Sequence, residues 1–311
     1  MSTVMPPAPD VARRAVALLF LSATLWGLSW WPVKEFAALG LSGPTLSLLS
    51  YGPAALCGLY VLGRQYQAWR ARAGMVLLLA LVGGWANVAF VTAIMQGEVV
   101  RVMLLFYLSP VWSVLGGRIF LGERIGPRRV LAVALALCGL WFVIGGTEAF
   151  QTALSASDWL ALSSGLAFAG NNLIARATPG VPMASKTVAV FMGGALVAAV
   201  IVILQPQAPS WGTPGVGQTL AVLFYGFVWL GLAMLTWQYG VTHLETGRAA
   251  VILLTELVVA VASAVLFGGE TLLPRMVLGA LLIGAAALLE ATDNAELAPA
   301  GQRIATGESR P

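Results

Sequence analysis

Ten stretches of about 20 largely apolar residues, separated by polar or Gly/Pro-rich breaks, take up most of this 311-residue chain. An α-helix needs about that length to cross the hydrocarbon core of a bilayer, where only helices and closed barrels satisfy every backbone polar group. The stretches run over residues 15–38, 44–63, 74–96, 100–121, 128–146, 157–177, 185–204, 217–241, 247–267 and 275–291. Only 10% of the residues are charged, where a soluble domain carries about a quarter. These features predict an all-α membrane protein with ten transmembrane helices. The first apolar run outlasts a signal peptide and ends in no A-x-A cleavage site, so it reads as a retained span. The proline-containing residues 1–10 and the polar residues 293–311 read as disordered tails.

Lysine and arginine collect in the short cytoplasmic loops of membrane proteins. With the N-terminus inside, fourteen of the 17 cations, Arg13, Arg14, Arg128, Arg129 and Arg176 among them, fall in the cytoplasm, leaving Lys34, Arg101 and Arg275 outside. Both termini are therefore expected in the cytoplasm. The same bias accounts for the formal net charge of +4 without a nucleic acid or other polyanionic partner. Cys57 and Cys138 lie in apolar stretches, so they read as packing residues and not as a disulfide or thiolate metal site. No metal site, cofactor site or catalytic motif is legible. There is no H-E-x-x-H and no G-x-S-x-G, and the single histidine, His243, falls in the loop predicted after the eighth stretch.

The chain also matches itself. At an offset of 147 residues Arg101 falls on Arg248, Phe120 on Phe267, Gly122 on Gly269, Glu123 on Glu270, Pro127 on Pro274 and Gly84 on Gly231; at 142, Ser22 falls on Ser164 and Lys34 on Arg176. Two five-helix repeats follow, residues 15–146 and 157–291, joined by a periplasmic linker at 147–156 and flanked by cytoplasmic tails at 1–14 and 292–311. Five is odd, so the second repeat enters the membrane from the opposite side. Inverted repeats of this kind hold a substrate near the midplane and expose it to each side in turn.

The stretches Leu108-Ser109-Pro110, Phe120-Leu121-Gly122-Glu123-Arg124 and Phe267-Gly268-Gly269-Glu270, with Trp26-Gly27 in the first span, resemble the EamA-type drug/metabolite transporter superfamily over about residues 15–291. Within it the Trp-rich sequence is most similar to the bacterial aromatic amino acid exporters. The resemblance implies a ten-helix secondary transporter of the bacterial inner membrane that exports aromatic and other neutral amino acids and uses no cofactor. Drugs, nucleobases, other small metabolites and phosphorylated metabolites are the alternative cargoes. A dianionic phosphate needs cations at the midplane, whereas the lysines and arginines here lie near span ends.

Glu256 is an acidic residue well inside a predicted span. An unpaired carboxylate at that depth costs roughly 2.5–3.5 kcal/mol, so it must face protein or water. It reads as a proton-coupling group, as the partner of a substrate ammonium, or as a structural hydrogen-bonding residue. Asn87, Asn171, Asn172 and Gln238 can donate and accept at once, which suits a zwitterion, and can equally join one helix to another. Trp26, Trp30, Phe90, Tyr107, Phe168 and Trp237 are candidates for an aromatic wall, whereas Trp31, Trp69, Trp141, Trp159 and Trp211 read as interfacial anchors. Ser109 joins the set as the first-repeat counterpart of Glu256. Pro32 and Pro110 each remove a backbone donor and are candidate hinges. Glu123 and Glu270 suit helix-end electrostatics. Ala132, Ala136 and Gly139 in the fifth stretch, and Gly279, Ala280 and Gly284 in the tenth, permit close packing within the chain or in a homodimer.

Overall fold

The computed structural model describes residues 9–120, 122, 126–146, 154–204, 215–244 and 246–296. The described residues form helices and their connections, with no strand among them. The first stretch is α1 (Pro9–Gly27) and α2 (Trp30–Ala38), the second α3 (Gly43–Arg64), the third α4 (Tyr66–Trp69), a short 3-10 turn and α5 (Ala73–Gln96). The fourth is α6 (Val99–Phe106) and α7 (Ser109–Phe120), the fifth α8 (Pro127–Ile144), the sixth α9 (Ala156–Ala177) and the seventh α10 (Met183–Leu204). The eighth comprises α11 (Val216–Leu223), a π-helical segment Phe224–Trp229 and α12 (Leu230–His243). The ninth is α13 (Thr246–Leu253) and α14 (Thr255–Leu266), and the tenth α15 (Pro274–Glu296).

Among the described residues seven helical stretches are long and apolar enough to cross a membrane: Arg13–Ala38, Gly43–Arg64, Tyr66–Gln96, Val99–Phe120, Pro127–Ile144, Met183–Leu204 and Val216–Val241. Val251–Leu266 and Pro274–Leu289 are apolar but shorter. The other expected stretch, α9, has the length but carries Asp158, Asn171, Asn172 and Arg176. Large apolar side chains such as Ile119, Phe120, Ile203, Leu235 and Leu281 face outward, a surface suited to lipid and not to water.

The helices pair in matched sets. α5 packs on α9 as α12 packs on α1, and α6 and α7 pack on α9 as α13 and α14 pack on α1. α3 lies along α10, and α8 along α15. The connections after α7 and α14 each turn through a left-handed glycine, Gly122 at φ 66° and Gly269 at φ 69°, a conformation that strains any residue with a Cβ. The small faces of the fifth and tenth stretches meet inside the chain. A Cβ at Gly139 would stand 2.8 Å from the Gly279 carbonyl oxygen, and one at Gly279 would stand 2.9 Å from that of Gly139.

Several local expectations are corrected. α1 begins at Pro9 and α15 runs to Glu296, so part of each expected tail is helical; proline is tolerated at a helix start because its missing amide would be unpaired there in any case. His243 ends α12 instead of lying in a loop: its ring stacks on Tyr239 at 4.2 Å, and Nδ1 lies 2.8 Å from the Tyr239 carbonyl oxygen. Cys57 and Cys138 are exposed on the outer faces of their helices, not packed inside. Pro32 and Pro110 lie in the first turns of α2 and α7, just past the breaks of their stretches, where a proline is well accommodated. The first stretch breaks at Leu28–Ser29 and the fourth at Tyr107–Leu108. Glu123, Arg124, Trp211 and most of the 147–156 linker lie outside the described residues.

Candidate functional site

The breaks in the fourth and ninth stretches share one register: Tyr107 follows α6 and Leu254 follows α13, 147 residues apart. Pro110, second in α7, has no amide to offer the Phe106 carbonyl. Gly165 of α9 approaches that carbonyl so closely that a Cβ there would stand 2.7 Å from its oxygen. The ninth stretch has no proline at its break. Instead, Thr255 Oγ1 donates to the Ile252 carbonyl at 2.6 Å, a local bond that competes with continued helix.

The first stretch breaks by the same logic. Ser29 N turns to the Trp26 carbonyl at 3.0 Å, leaving the Leu25 carbonyl without its helical amide. Ser29 Oγ donates to that carbonyl at 2.8 Å and Trp229 Nε1 at 3.1 Å. Trp229 closes the π-helical segment of the eighth stretch, so the irregularities of the two stretches share one hydrogen-bond acceptor.

At the facing breaks Tyr107 and Glu256 stand close enough for their side chains to act on one another. Glu256 lies in the first turn of α14, where the helix dipole favours an anion. Gly27, at the end of α1, packs against the backbone of the same residue: a Cβ there would stand 2.7 Å from the Glu256 carbonyl oxygen. Both side chains are half-buried.

Phe106 gathers the aromatic candidates. Its ring centroid lies 4.8 Å from Phe90, 5.4 Å from Phe168 and 5.9 Å from Tyr107. Trp26 is half-buried against the same core. Phe106 escaped notice in the sequence because nothing separates it from any other apolar residue of its run. Its one signal is its place beside Tyr107, ahead of Pro110.

Other candidates are brought elsewhere. Trp30 is buried and its Nε1 donates to Ser263 Oγ at 2.8 Å. Asn87 Nδ2 donates to the Gly83 carbonyl at 2.8 Å, while Asn87 Oδ1 accepts from the Tyr51 hydroxyl at 3.3 Å. Trp237 packs with Leu19, Ala249 and Ile252 in a satellite cluster. Asn172 is exposed, and Ser109 and Gln238 are half-buried. Asn171 Oδ1 is buried without a partner, against Gly83. A cavity of about 410 Å³ lies near Leu41, Ser42, Trp85, Thr92 and Gln96 and contains none of the candidates.

An apolar outer surface around an all-helical bundle, with broken helices meeting at a half-buried carboxyl, defines a multi-pass membrane protein. Residues 13–145 and 155–291 each match the EamA-like transporter family, and the chain belongs to that family of membrane transporters. It is 25% identical over 281 residues to the "probable terminal-alkyne amino-acid exporter" of Streptantibioticus cattleyicolor, covering 86% of this chain and 90% of that one. It is 26% identical over 185 residues to the "riboflavin transporter" of Rhizobium johnstonii, covering 58% and 54%. A crystal structure at 22% identity shares the fold with a TM-score of 0.57, over 91% of this chain and 97% of that one.

Proposed function

We propose that this transporter exports neutral amino acids, aromatic ones included, across the bacterial inner membrane. It works by alternating access of two inverted five-helix repeats, with both termini in the cytoplasm. The observation that carries the reading is the Tyr107–Glu256 pair at the facing helix breaks. An ionised Glu256 accepts the substrate ammonium, while Phe90, Phe106, Tyr107 and Phe168 offer the side chain an aromatic wall. A half-buried carboxylate attracts an ammonium and repels a phosphate, which disfavours phosphorylated cargo. The repeat reading is supported by the matched helix pairings and by the double family match. The amino acid reading is supported by the relative from Streptantibioticus cattleyicolor.

The test is counterflow into liposomes containing the purified protein, with radiolabelled phenylalanine, leucine, riboflavin and a sugar phosphate. Saturable counterflow of the two amino acids is expected. Counterflow of riboflavin or the sugar phosphate without either amino acid overturns the reading.

A further inference from the structure

The start of α6 is held from several sides. Glu270, between α14 and α15, accepts from the Val99 and Val100 amides through separate carboxylate oxygens at 2.6 and 2.9 Å. Arg101, in the first turn, makes two parallel bonds to Asp158 of α9, Nε to Oδ1 at 2.7 Å and Nη2 to Oδ2 at 2.9 Å. Asp158 is 2% exposed and also accepts from the Ser155 amide at 3.0 Å. Lys34 of α2 donates to the Gly97 carbonyl at 2.6 Å, with Glu98 and Glu270 close enough for their charges to act on it. Three separate parts of the chain converge on one helix end.

The other end of α6 is the Tyr107 break. An eight-residue helix is a rod about 12 Å long, so what holds its first turn constrains where Tyr107 meets Glu256. We propose that α6 is a lever. Lys34, Arg101, Asp158 and Glu270 form an ion lock that closes the extracytoplasmic end of the pathway, and the lock releases when α6 moves. These four are positioning residues acting through α6, and none of them contacts cargo. A bidentate ion pair on a buried carboxylate suits a lock because it is either made in full or separated by water; half-made, it leaves the Asp158 charge unpaired at high cost. The proposal rests on the transporter reading above.

The test uses impermeant thiol labelling from outside intact cells. The two native cysteines are first replaced by serine, and Leu162, half-buried one turn along α9 from Asp158, becomes the single reporter as Leu162→Cys. Asp158→Asn and Glu270→Gln are each expected to raise the labelling rate at least about tenfold, the scale of losing one charge-assisted hydrogen bond. Lys34→Gln, the mildest change, is expected to raise it severalfold, and Arg101→Asp with Asp158→Arg to return it toward the parent. Folding is checked by the elution profile of the purified variants. Unchanged labelling in folded Asp158→Asn and Glu270→Gln overturns the lock, as does a charge swap that labels as fast as Asp158→Asn. If those variants do not fold, unchanged labelling in Lys34→Gln overturns it. Labelling needs no cargo, so this outcome is separate from whether amino acids are the substrate.

Discussion

The Ser22 hydroxyl donates to the Ala233 backbone carbonyl at 2.9 Å, and the Ser164 hydroxyl donates to the Ala86 carbonyl at 2.6 Å. The serines are 142 residues apart and the alanines 147, the two offsets at which the chain matches itself. Both serines are fully buried, so each bond joins the first span of one repeat to the third span of the other. Each carbonyl keeps its helical amide when the serine becomes alanine, so the change removes one buried hydrogen bond, about 0.5–1.5 kcal/mol. Ser22→Ala and Ser164→Ala are therefore expected to lower the thermal midpoint of the purified protein by similar amounts. A large loss in one and none in the other would show that the two bonds are not equivalent.

Glu256→Gln keeps the shape and hydrogen-bonding capacity of the side chain but not its charge. If an ionised carboxylate holds the substrate ammonium, transport by the parent weakens as acidification protonates Glu256. Glu256→Gln should instead be slow, by about tenfold or more for a lost charged contact, and flat with pH. Tyr107→Phe removes the hydroxyl beside Glu256 and should cost less while keeping the pH dependence. Counterflow rates measured from mildly acidic to mildly alkaline pH separate these outcomes.

Gly165→Ala places a Cβ against the Phe106 carbonyl, a backbone atom that cannot swing aside. Overpacking of this kind costs about 1–3 kcal/mol. The variant is expected to fold less stably and to shift the fourth-stretch break. Gly231→Ala, in open space by the same measure, should be nearly silent in the same thermal assay.

Phe106→Ala removes the ring that touches Phe90, Tyr107 and Phe168 together. Each aromatic contact contributes about 0.5–1.5 kcal/mol beyond burial, so KM for phenylalanine should rise severalfold, with a smaller change for alanine. Equal changes for both would place the ring outside the site.

Helix positions were legible because lipid demands long apolar runs, and the observed ends of α3, α5, α9 and α10 lie within two residues of expectation. The register of the repeat was legible in Ser22, Gly84 and Glu270 because turns and helix contacts depend on small or polar residues at set places. The breaks were harder. Pro32 and Pro110 pointed to two of them but lie a few residues beyond, while Leu254 carries no mark in its own residue type. Lys34 read only as a cation of the outer side and Asp158 carried no mark, since the partners that hold them, the Gly97 carbonyl and Arg101, come from elsewhere in the chain. Trp30 and Asn87 had the chemistry of a site, yet their polar atoms bond to Ser263, Gly83 and Tyr51.

Equilibrium binding of radiolabelled phenylalanine to the purified protein and to Glu256→Gln tests the central claim most directly. Saturable binding by the parent, weakened about tenfold or more on losing the charged contact, is the result predicted. Equal binding by both proteins would contradict a substrate site built on Glu256.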